Sequence, residues 1–240
     1  MKIKAQNLIK IYNDRNVVND ISFEVNKGEV VGLLGPNGAG KTTTFYMVVG
    51  LIRPDGGSIY IDDTNVTTMT MDNRAKHGIG YLPQEASIFR KLSVQDNLKL
   101  VLELNDKLNK KDKKEKLEEL LEEFKITKLR DTSAVSLSGG ERRRVEIARA
   151  LAASPEFILL DEPFAGIDPI AISEIKDNIK ILSDKGLGVL ITDHNPKATL
   201  SITDRAYVIF DGKIEKQGSR EEIANDEIVK EFYLGKDFSL

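Results

Sequence analysis

The 240-residue chain contains no cysteine and only two histidines, His77 and His194. Without cysteine it cannot form a disulfide, a Cys-ligated zinc or iron–sulfur site, or a thiol nucleophile. Two histidines are also too few for a His-rich metal site. No apolar run approaches the ~18 residues that a bilayer-spanning helix requires. These absences leave a globular protein whose chemistry must come from carboxylates, hydroxyls, amides and basic side chains.

An excess of charge of one sign is also missing. The 35 Lys and Arg residues are balanced by 38 Asp and Glu residues, giving a formal net charge of −3. No strongly basic surface is indicated, so we expect no nucleic-acid partner. The N-terminal residues 1–15 are interrupted by polar side chains and lack the apolar centre of a signal peptide. We therefore expect a protein that is soluble when isolated and that reaches a membrane only through other subunits.

Apolar runs predict an α/β fold. Residues 30–34, 157–160 and 188–192 are continuous apolar or nearly apolar segments, which are typical of strands buried on both faces of a parallel sheet. An Ile- and Lys-rich segment, 170–183, predicts a helix between the last two strands, and this is a βαβ pattern. Between residues 94 and 153 the character is mostly helical, so we expect one α/β core interrupted by a helical insertion.

Residues 35–42, GPNGAGKT, fit the phosphate-loop pattern G-x-x-x-x-G-K-[ST] between a predicted strand and a predicted helix. The glycines allow backbone N–H groups to converge on phosphate oxygens, and the helix N-terminus adds a positive dipole. Lys41 is predicted to reach the β- and γ-phosphates, and the Thr42 hydroxyl to coordinate Mg²⁺. The alternative is a glycine-rich turn without a ligand, but motif and context favour nucleotide binding. The predicted nucleotide-binding residues of this segment are Asn37, Gly38, Ala39, Gly40, Lys41, Thr42 and Thr43.

Two carboxylates, Asp161 and Glu162, follow the predicted strand 157–160. A buried strand delivers both at its C-terminal end, where ligands bind in open parallel sheets. Asp161 is predicted to hold Mg²⁺, directly or through water. Glu162 is placed to act as the general base that polarises the attacking water. An acid after a strand is often only a helix cap, but behind a phosphate loop the pair predicts nucleotide hydrolysis.

Residues 137–141, LSGGE, open another predicted helix and predict a second anion site. The two glycines permit close backbone approach, and the Ser138 hydroxyl lies at the helix N-terminus. One nucleotide in one monomer does not need both phosphate-binding segments. A symmetric dimer, in which both chains hold each nucleotide, reconciles them. A lone Ser-Gly-Gly at a helix start is more often a cap than a site.

At these residues the sequence resembles the ATP-binding subunits of ABC transporters, over essentially the whole chain. The L-S-G-G-[QE] signature is highly specific to that superfamily. The resemblance implies that Tyr12 stacks on adenine, Gln84 contacts Mg²⁺ and water, Asp168 lies at the dimer interface, and His194 contacts the γ-phosphate. The implied catalytic residues are Glu162, His194 and Gln84. The implied metal ligands are Thr42, Gln84 and Asp161. The residues implied to contact the nucleotide of the partner copy are Ser138, Gly139, Gly140 and Glu141.

Several of these residues have a simpler interpretation. Tyr12 could be an ordinary half-buried aromatic residue, Gln84 a surface turn residue, and an isolated His194 a structural histidine. His77 has no motif around it and is expected to be structural or exposed. The basic run 142–144 suggests nucleic-acid binding, but its place directly after the signature favours a phosphate-facing or interface role with salt bridges to nearby acids.

The resemblance also implies an architecture. The expected fold is a RecA-like P-loop NTPase core with an antiparallel β subdomain and an inserted α-helical subdomain. Within a single ABC ATPase domain, residues 1–88 and 156–240 are expected to form the core with its β subdomain. Residues 89–155 are expected to form the helical subdomain that carries the signature.

The same resemblance implies ATP and Mg²⁺ as cofactors, a homodimer, and two integral membrane permease subunits. It places the chain peripherally on the cytoplasmic face of the inner membrane. Phe89 and Arg90 are the candidates for docking to the membrane subunits, because an exposed aromatic residue beside an arginine suits an interface anchor. The alternative is that Phe89 belongs to the core.

Within the family, six stretches are most similar to the ATPases of lipopolysaccharide export transporters. Glu141 in place of the commoner Gln, and Phe164-Ala165 in place of Thr-Ser, fit this subfamily, whereas Pro196 after Asn195 is a departure that suits the start of a helix. The expected function is ATP hydrolysis that powers lipopolysaccharide export from the inner membrane towards the outer membrane. The stretches are 35–50, 80–97, 137–152, 161–169, 188–195 and 233–240.

Three alternatives remain. The first is the ATPase of a branched-chain amino-acid importer, a near relative. The second is a soluble ABC ATPase of DNA repair or translation, which would need a long coiled-coil insertion or a second cassette. The third is a P-loop GTPase or kinase, against which the signature and the missing guanine-reading N-K-x-D motif argue.

Overall fold

The computed structural model describes residues 1–106, 108–166 and 169–240. Within these ranges the strands form two sheets. The first is antiparallel, in the order β2-β1-β4-β5. Its strands are β1 (Lys2–Tyr12), β2 (Arg15–Asn26), β4 (Gly56–Ile61) and β5 (Thr64–Asn65).

The second sheet has the order β10-β9-β3-β8-β7-β6. Its pairs are parallel except for the hairpin of β9 and β10. Every residue of β3, β7 and β8 is buried, as the continuous apolar runs predict. The predicted α/β class is therefore confirmed. The strands are β3 (Val30–Leu34), β6 (Ile79–Leu82), β7 (Phe157–Asp161), β8 (Gly188–Thr192), β9 (Arg205–Phe210) and β10 (Lys213–Ser219).

Three consecutive helices, α3, α4 and α5, lie between β6 and β7 in the chain and pack against one another. They form a helical region inside the sequence of the parallel sheet; its domain boundaries at residues 89 and 155 stay a prediction. The helices are α1 (Lys41–Val49), α2 (Met71–Lys76), α3 (Val94–Glu103), α4 (Lys110–Glu123), α5 (Gly139–Ala152), α6 (Pro169–Asp184), α7 (Pro196–Leu200), α8 (Arg220–Asn225) and α9 (Glu227–Val229), followed by a π-helical turn, Lys230–Leu234.

Helix α1 is held in one of the two largest apolar cores. Its Phe45, Met47, Val48 and Val49 side chains are fully buried in a cluster that includes residues from both sheets. The other large cluster joins the opposite face of the parallel sheet to helices α3 to α6. Helix α1 begins directly after the loop that follows β3, so its burial fixes that loop.

Arg74 fixes the other end of α1. Its side chain is only 1% exposed, and Nη1 donates to the carbonyl oxygens of Met47 and Val48, both at 2.6 Å. Nε and Nη2 donate to the carbonyls of Met69 at 3.1 Å and Thr67 at 3.0 Å. Carbonyls at a helix C-terminus lack helical partners and favour a cation. Burial lowers the pKa of Arg74 to about 10.

No helix in the described ranges is both long enough and apolar enough to cross a membrane.

Candidate nucleotide-binding and hydrolysis site

The loop between β3 and α1 has a backbone that glycine alone accommodates at Gly40. This residue precedes the first residue of α1 and has a φ of 103°. A Cβ atom there would lie 2.5 Å from the carbonyl oxygen of Val17 on β2. The loop therefore packs tightly on β2, and the N-terminus of α1 faces the space enclosed by the loop.

Lys41 is buried within this loop. Its Nζ donates to the carbonyl oxygens of Gly35 at 2.6 Å and Pro36 at 2.8 Å. Burial lowers the pKa of Lys41, and the negative charges of Glu162 and Asp193 oppose that effect. The ammonium group is thus held by carbonyl oxygens of the loop itself.

Glu162 follows β7 in a left-handed conformation, with a φ of 45°. Such a conformation costs a residue other than glycine about 1–3 kcal/mol and persists where the surroundings impose it. Its Oε2 lies 2.7 Å from Nε2 of His194, and the Glu162 side chain is 13% exposed. Burial raises the pKa of Glu162, with the charge of His194 opposing the effect. The structure therefore brings together the predicted base and the histidine predicted to contact the γ-phosphate.

Asp161, the last residue of β7, is buried, and the hydroxyls of Tyr46 and Tyr81 donate to its carboxylate. Burial raises the pKa of Asp161 despite these hydrogen bonds. Tyr46 lies four residues after Thr42 in α1, so both side chains project from the same face of the helix. Gln84 follows β6, whose Leu82 pairs with Leu160 just before Asp161. The three predicted metal ligands thus come from neighbouring elements.

A cavity of about 170 Å³ lies at the phosphate loop. It brings together most of the predicted nucleotide-binding residues with Glu162 and His194. Val17 also lines it, although no motif marks this residue in the sequence. Ala39 is buried beneath the loop and does not line it. The lining residues are Val17, Asn37, Gly38, Gly40, Lys41, Thr42, Thr43, Glu162 and His194.

Tyr12 and Gln84, two of the predicted site residues, do not line this cavity. Tyr12 lies at the end of β1 with 43% of its surface exposed, and Nζ of Lys10 lies 5.3 Å from its ring centroid. Gln84 is exposed and does not line the cavity. Asp168 lies outside the described residues. His77, for which no role was predicted, ends α2 with Nδ1 2.9 Å from the carbonyl of Asn73, a structural position.

The signature residues form the N-terminus of α5. Ser138 caps the helix, and its backbone N–H donates to Oε2 of Glu141 at 2.8 Å. The Ser138 hydroxyl also donates to this oxygen, at 2.7 Å. Apart from its chain neighbours and its own helix, no atom of the described residues lies within 4 Å of where a Cβ atom on Gly139 would be. Packing among the described residues therefore does not require glycine there, and the space beside it is open.

Helix α5 also holds the segment 84–90. Oε1 of Glu146 accepts the backbone N–H groups of Ser87 at 2.7 Å and Ile88 at 3.2 Å. Nη1 of Arg149 donates to the Ser87 carbonyl at 2.8 Å, and its guanidinium lies 4.9 Å from the ring centroid of Phe89. Phe89 is 46% exposed, so the alternative that it belongs to the core is wrong.

The basic run 142–144 is engaged within the chain. Nη1 of Arg143, which is buried, donates to the carbonyl of Pro83 at 3.1 Å and lies 3.3 Å from Oε2 of Glu146. Arg144 forms a salt bridge of 3.1 Å with Glu174. The salt bridges expected for this run are confirmed.

The loop after β8 carries one buried acid that no motif singled out. Asp193 lies between the end of β8 and His194, and it accepts two backbone N–H groups. Burial raises its pKa, and these hydrogen bonds oppose the effect. Pro196 begins α7 with Asn195 as its N-cap, as expected.

Comparison with known proteins identifies the family. The profile described as ABC transporter matches residues 18–165. Proteins of Escherichia coli K12 and Haemophilus influenzae, both named lipopolysaccharide export system ATP-binding protein LptB, are 59% identical over 238 residues and cover 99% of both chains. The LptB protein of Acidithiobacillus ferridurans is 56% identical over 238 residues, 99% of this chain and 98% of its own.

Solved structures agree. An ATP-binding cassette of an ABC transporter in its ADP conformation matches with a TM-score of 0.86 and 30% identity, over 98% of this chain and 100% of that chain. A dimeric ATP-binding cassette in a post-hydrolysis state, bound to ADP and Pi, matches with a TM-score of 0.77 and 25% identity. The match covers 91% of this chain and 98% of that chain. The predicted ABC ATPase fold is confirmed. The chain belongs to the ABC transporter family, in which it is an ATP-binding and ATP-hydrolysing subunit.

Proposed function

We propose that this chain is the ATPase subunit of a lipopolysaccharide export transporter, which powers extraction of lipopolysaccharide from the inner membrane towards the outer membrane. The observation that carries the proposal is the 59% identity to proteins of that name across 99% of both chains. The agreement extends beyond the nucleotide motifs to nearly the full length of both chains.

The phosphate-loop residues bind the triphosphate. Lys41 exchanges its bonds to the Gly35 and Pro36 carbonyls for phosphate oxygens, while the loop N–H groups and the α1 dipole stabilise the negative charge. Tyr12, exposed at the end of β1, offers its ring to the adenine. These are the roles that an exposed aromatic residue and a buried ammonium group can perform at this edge of the fold.

The residues present fit Mg²⁺. Asp161 is a buried carboxylate whose pKa is raised by burial, and Thr42 and Gln84 offer neutral oxygen atoms. Mg²⁺ binds through one or two carboxylates together with substrate phosphates and water. The ion supplies neutralisation of phosphate charge.

Hydrolysis requires Glu162 to accept a proton from the attacking water. Its burial raises the pKa and so increases its basicity. His194, 2.7 Å away, orients the Glu162 carboxylate and reaches the γ-phosphate from the same cavity. Both side chains line the phosphate cavity, so a water molecule on the γ-phosphate lies within reach of the base.

The signature residues act on the nucleotide of a second copy. Ser138, Gly139, Gly140 and Glu141 form an outward-facing helix N-terminus, which suits phosphate oxygens. Asp168 lies at the dimer interface in this proposal. ATP binding closes the two copies on each other, and hydrolysis removes the bridging γ-phosphate so that they separate.

The membrane partners are two integral permease subunits, to which the chain binds peripherally on the cytoplasmic face of the inner membrane. Phe89 and Arg90 form the docking point: both are exposed, and α5 holds the segment that carries them. Because α5 also carries the signature, closure around the partner's nucleotide moves the docking segment with it.

Co-purification from membranes tests the proposal. The tagged chain is isolated in detergent, and its integral subunits and lipids are identified by mass spectrometry. The proposal expects two permease subunits with bound lipopolysaccharide, and ATP-dependent lipopolysaccharide release after reconstitution. Subunits of an amino-acid importer, and no lipopolysaccharide, would contradict it. Glu162→Gln serves as the matched control, because it should co-purify with the same subunits but release no lipid.

A further inference from the structure

Asp193 joins the loop that carries Glu162 to the loop that carries His194. Its Oδ2 accepts the backbone N–H of Phe164 at 2.8 Å, two residues after Glu162. Its Oδ1 accepts the backbone N–H of Asn195 at 2.8 Å, on the far side of His194. One carboxylate therefore fixes the backbone of both loops next to the two side chains that meet in the cavity.

Backbone pairing between β7 and β8 ends just before these loops. Asp161 opposite Thr192 is the last pair of the ladder, and the N–H of Glu162 donates to the Thr192 carbonyl at 2.7 Å. Pro163 has no N–H to continue the pairing. The next N–H of this loop, on Phe164, is the one that the Asp193 side chain accepts. The Asp193 side chain thus continues the hydrogen bonding between the two segments beyond the last backbone hydrogen bond.

The conformation of Glu162 needs such a connection. Its left-handed φ of 45° is one that a residue other than glycine keeps only where neighbouring contacts impose it. The Thr192 carbonyl holds the N–H of Glu162 itself, and Asp193 holds the chain two residues later. These two fixed points determine the direction in which the Glu162 side chain leaves the strand.

Asp193 does not belong to the nucleotide cavity. Its side chain is 1% exposed, and it is not among the residues that line the cavity. Both carboxylate oxygens are occupied by backbone N–H groups. Its hydrogen bonds therefore act on hydrolysis through the loops of Glu162 and His194, while its negative charge also reaches Lys41.

We propose that Asp193 is a positioning residue for ATP hydrolysis, which holds Glu162 and His194 in the relation that brings their side chains to 2.7 Å. The inference rests on the proposed function, in which Glu162 is the base and His194 the residue that orients it. A carboxylate is needed because both N–H groups point at it. An asparagine can accept one of them, but its own amide N–H then faces the other donor.

The test is single-turnover ATP hydrolysis by the full chain carrying Asp193→Asn. We expect the rate constant to fall roughly 10- to 100-fold, since small misplacements of catalytic groups have effects of that size. The KM for ATP should stay within about twofold, because a residue outside the cavity changes kcat and leaves ground-state binding intact. A normal rate, or an equal loss in nucleotide affinity, would overturn the proposal.

A matched control is Asp204→Asn. Oδ2 of Asp204 accepts the N–H of Val30 at 2.8 Å, at the end of β3 opposite the phosphate loop. It is the same chemical change at a carboxylate that joins two segments, and hydrolysis should be unaffected. If Asp193→Asn fails to fold, Asp193→Ser replaces it, because the serine hydroxyl is smaller and can still accept one N–H group. The expected loss of rate and unchanged KM are the same.

The second arm places Asp193→Asn in a His194→Ala background. If Asp193 acts by holding His194 against Glu162, the added loss should be less than about threefold, because residues that act as a unit are not additive. A further loss as large as that in the wild-type background would overturn the positioning role. Normal hydrolysis by His194→Ala alone would instead contradict the site roles in the proposed function, which distinguishes the two failures.

Discussion

Nε2 of His194 lies 2.7 Å from Oε2 of Glu162, so the two side chains meet at hydrogen-bonding distance. They lie 32 positions apart in the printed sequence and come together because β7 and β8 are neighbours in parallel register, with Asp161 opposite Thr192. Each residue follows its strand by one or two positions. The shared C-terminal edge of the sheet therefore brings together the proposed base and the histidine proposed to orient it.

Replacing Glu162 by glutamine should separate binding from hydrolysis. The amide has nearly the same shape, so the cavity and the affinity for ATP should be kept. The hydrolysis rate should fall about 10²- to 10⁴-fold, the contribution of a positioned general base. Size-exclusion chromatography with ATP should show a trapped dimer. Glu215→Gln, at an exposed position on β10, is the control, and normal turnover by Glu162→Gln would contradict the assignment of the base.

The same substitution should change the pH dependence of stability. Burial raises the pKa of Glu162 in the folded chain above the ordinary value of 4.5. Because the pKa is raised in the folded chain, the protonated Glu162 carboxyl stabilises the fold. This contribution to stability is fully present at pH values below 4.5 and is lost as the pH rises through the raised pKa. At neutral pH the Glu162 carboxylate therefore lowers the free energy of unfolding.

Glu162→Gln should consequently raise the midpoint of thermal unfolding at neutral pH, by about 2–4 °C for each kcal/mol regained. The gain should shrink as the pH falls towards 4.5. Thermal unfolding followed by circular dichroism over this pH range measures it. A midpoint at neutral pH equal to or below that of the wild type would contradict the electrostatic description of the site.

Arg74 should be important for stability although it lies away from the cavity. Arg74→Met leaves the carbonyls of Met47 and Val48 without their donor, and each unsatisfied buried group costs about 1–3 kcal/mol. We expect the free energy of unfolding to fall by about 2–4 kcal/mol in urea denaturation. Arg15→Met, at an exposed arginine 3.9 Å from Asp211, should change it by less than about 0.5 kcal/mol. Equal stability of the two variants would contradict the role of Arg74.

The sequence predicts those parts of the fold and site that are encoded locally. The phosphate loop is one contiguous motif, and continuous apolar runs identify β3, β7 and β8 as buried strands. The strand ends then place Asp161, Glu162 and His194 correctly, because parallel strands share a C-terminal edge.

Residues whose role depends on a distant neighbour are not predictable in this way. Val17 reaches the cavity only because β2 packs on Gly40. Arg74 lies in a polar segment, MDNRAK, with no sign that its guanidinium is buried under α1. Glu146 belongs to the signature helix, but its partners, Ser87 and Ile88, are about 60 positions away. The places of Tyr12, Gln84 and Asp168 in the site stay predictions of the resemblance.

The proposed division of the site between two copies implies two different ways to inactivate it. Lys41→Ala removes the ammonium group from the phosphate loop. Ser138→Arg fills the open space at the start of α5 and should abolish hydrolysis while each chain still binds nucleotide, because the signature does not line the phosphate cavity of its own chain. Loss of nucleotide binding in Ser138→Arg would mean that the signature contacts the nucleotide of its own chain, which would contradict the proposed contact with the partner's nucleotide.

The most direct test of the composite site is to mix these two inactive chains. In a dimer of Lys41→Ala with Ser138→Arg, one site has both defects and the other combines an intact Lys41 with an intact Ser138. Single-turnover hydrolysis by an equal mixture should recover to roughly a quarter of the wild-type amplitude, since half of the random pairs are mixed and each has one intact site. A mixture that stays as inactive as its two components would contradict the sharing of each nucleotide between two copies.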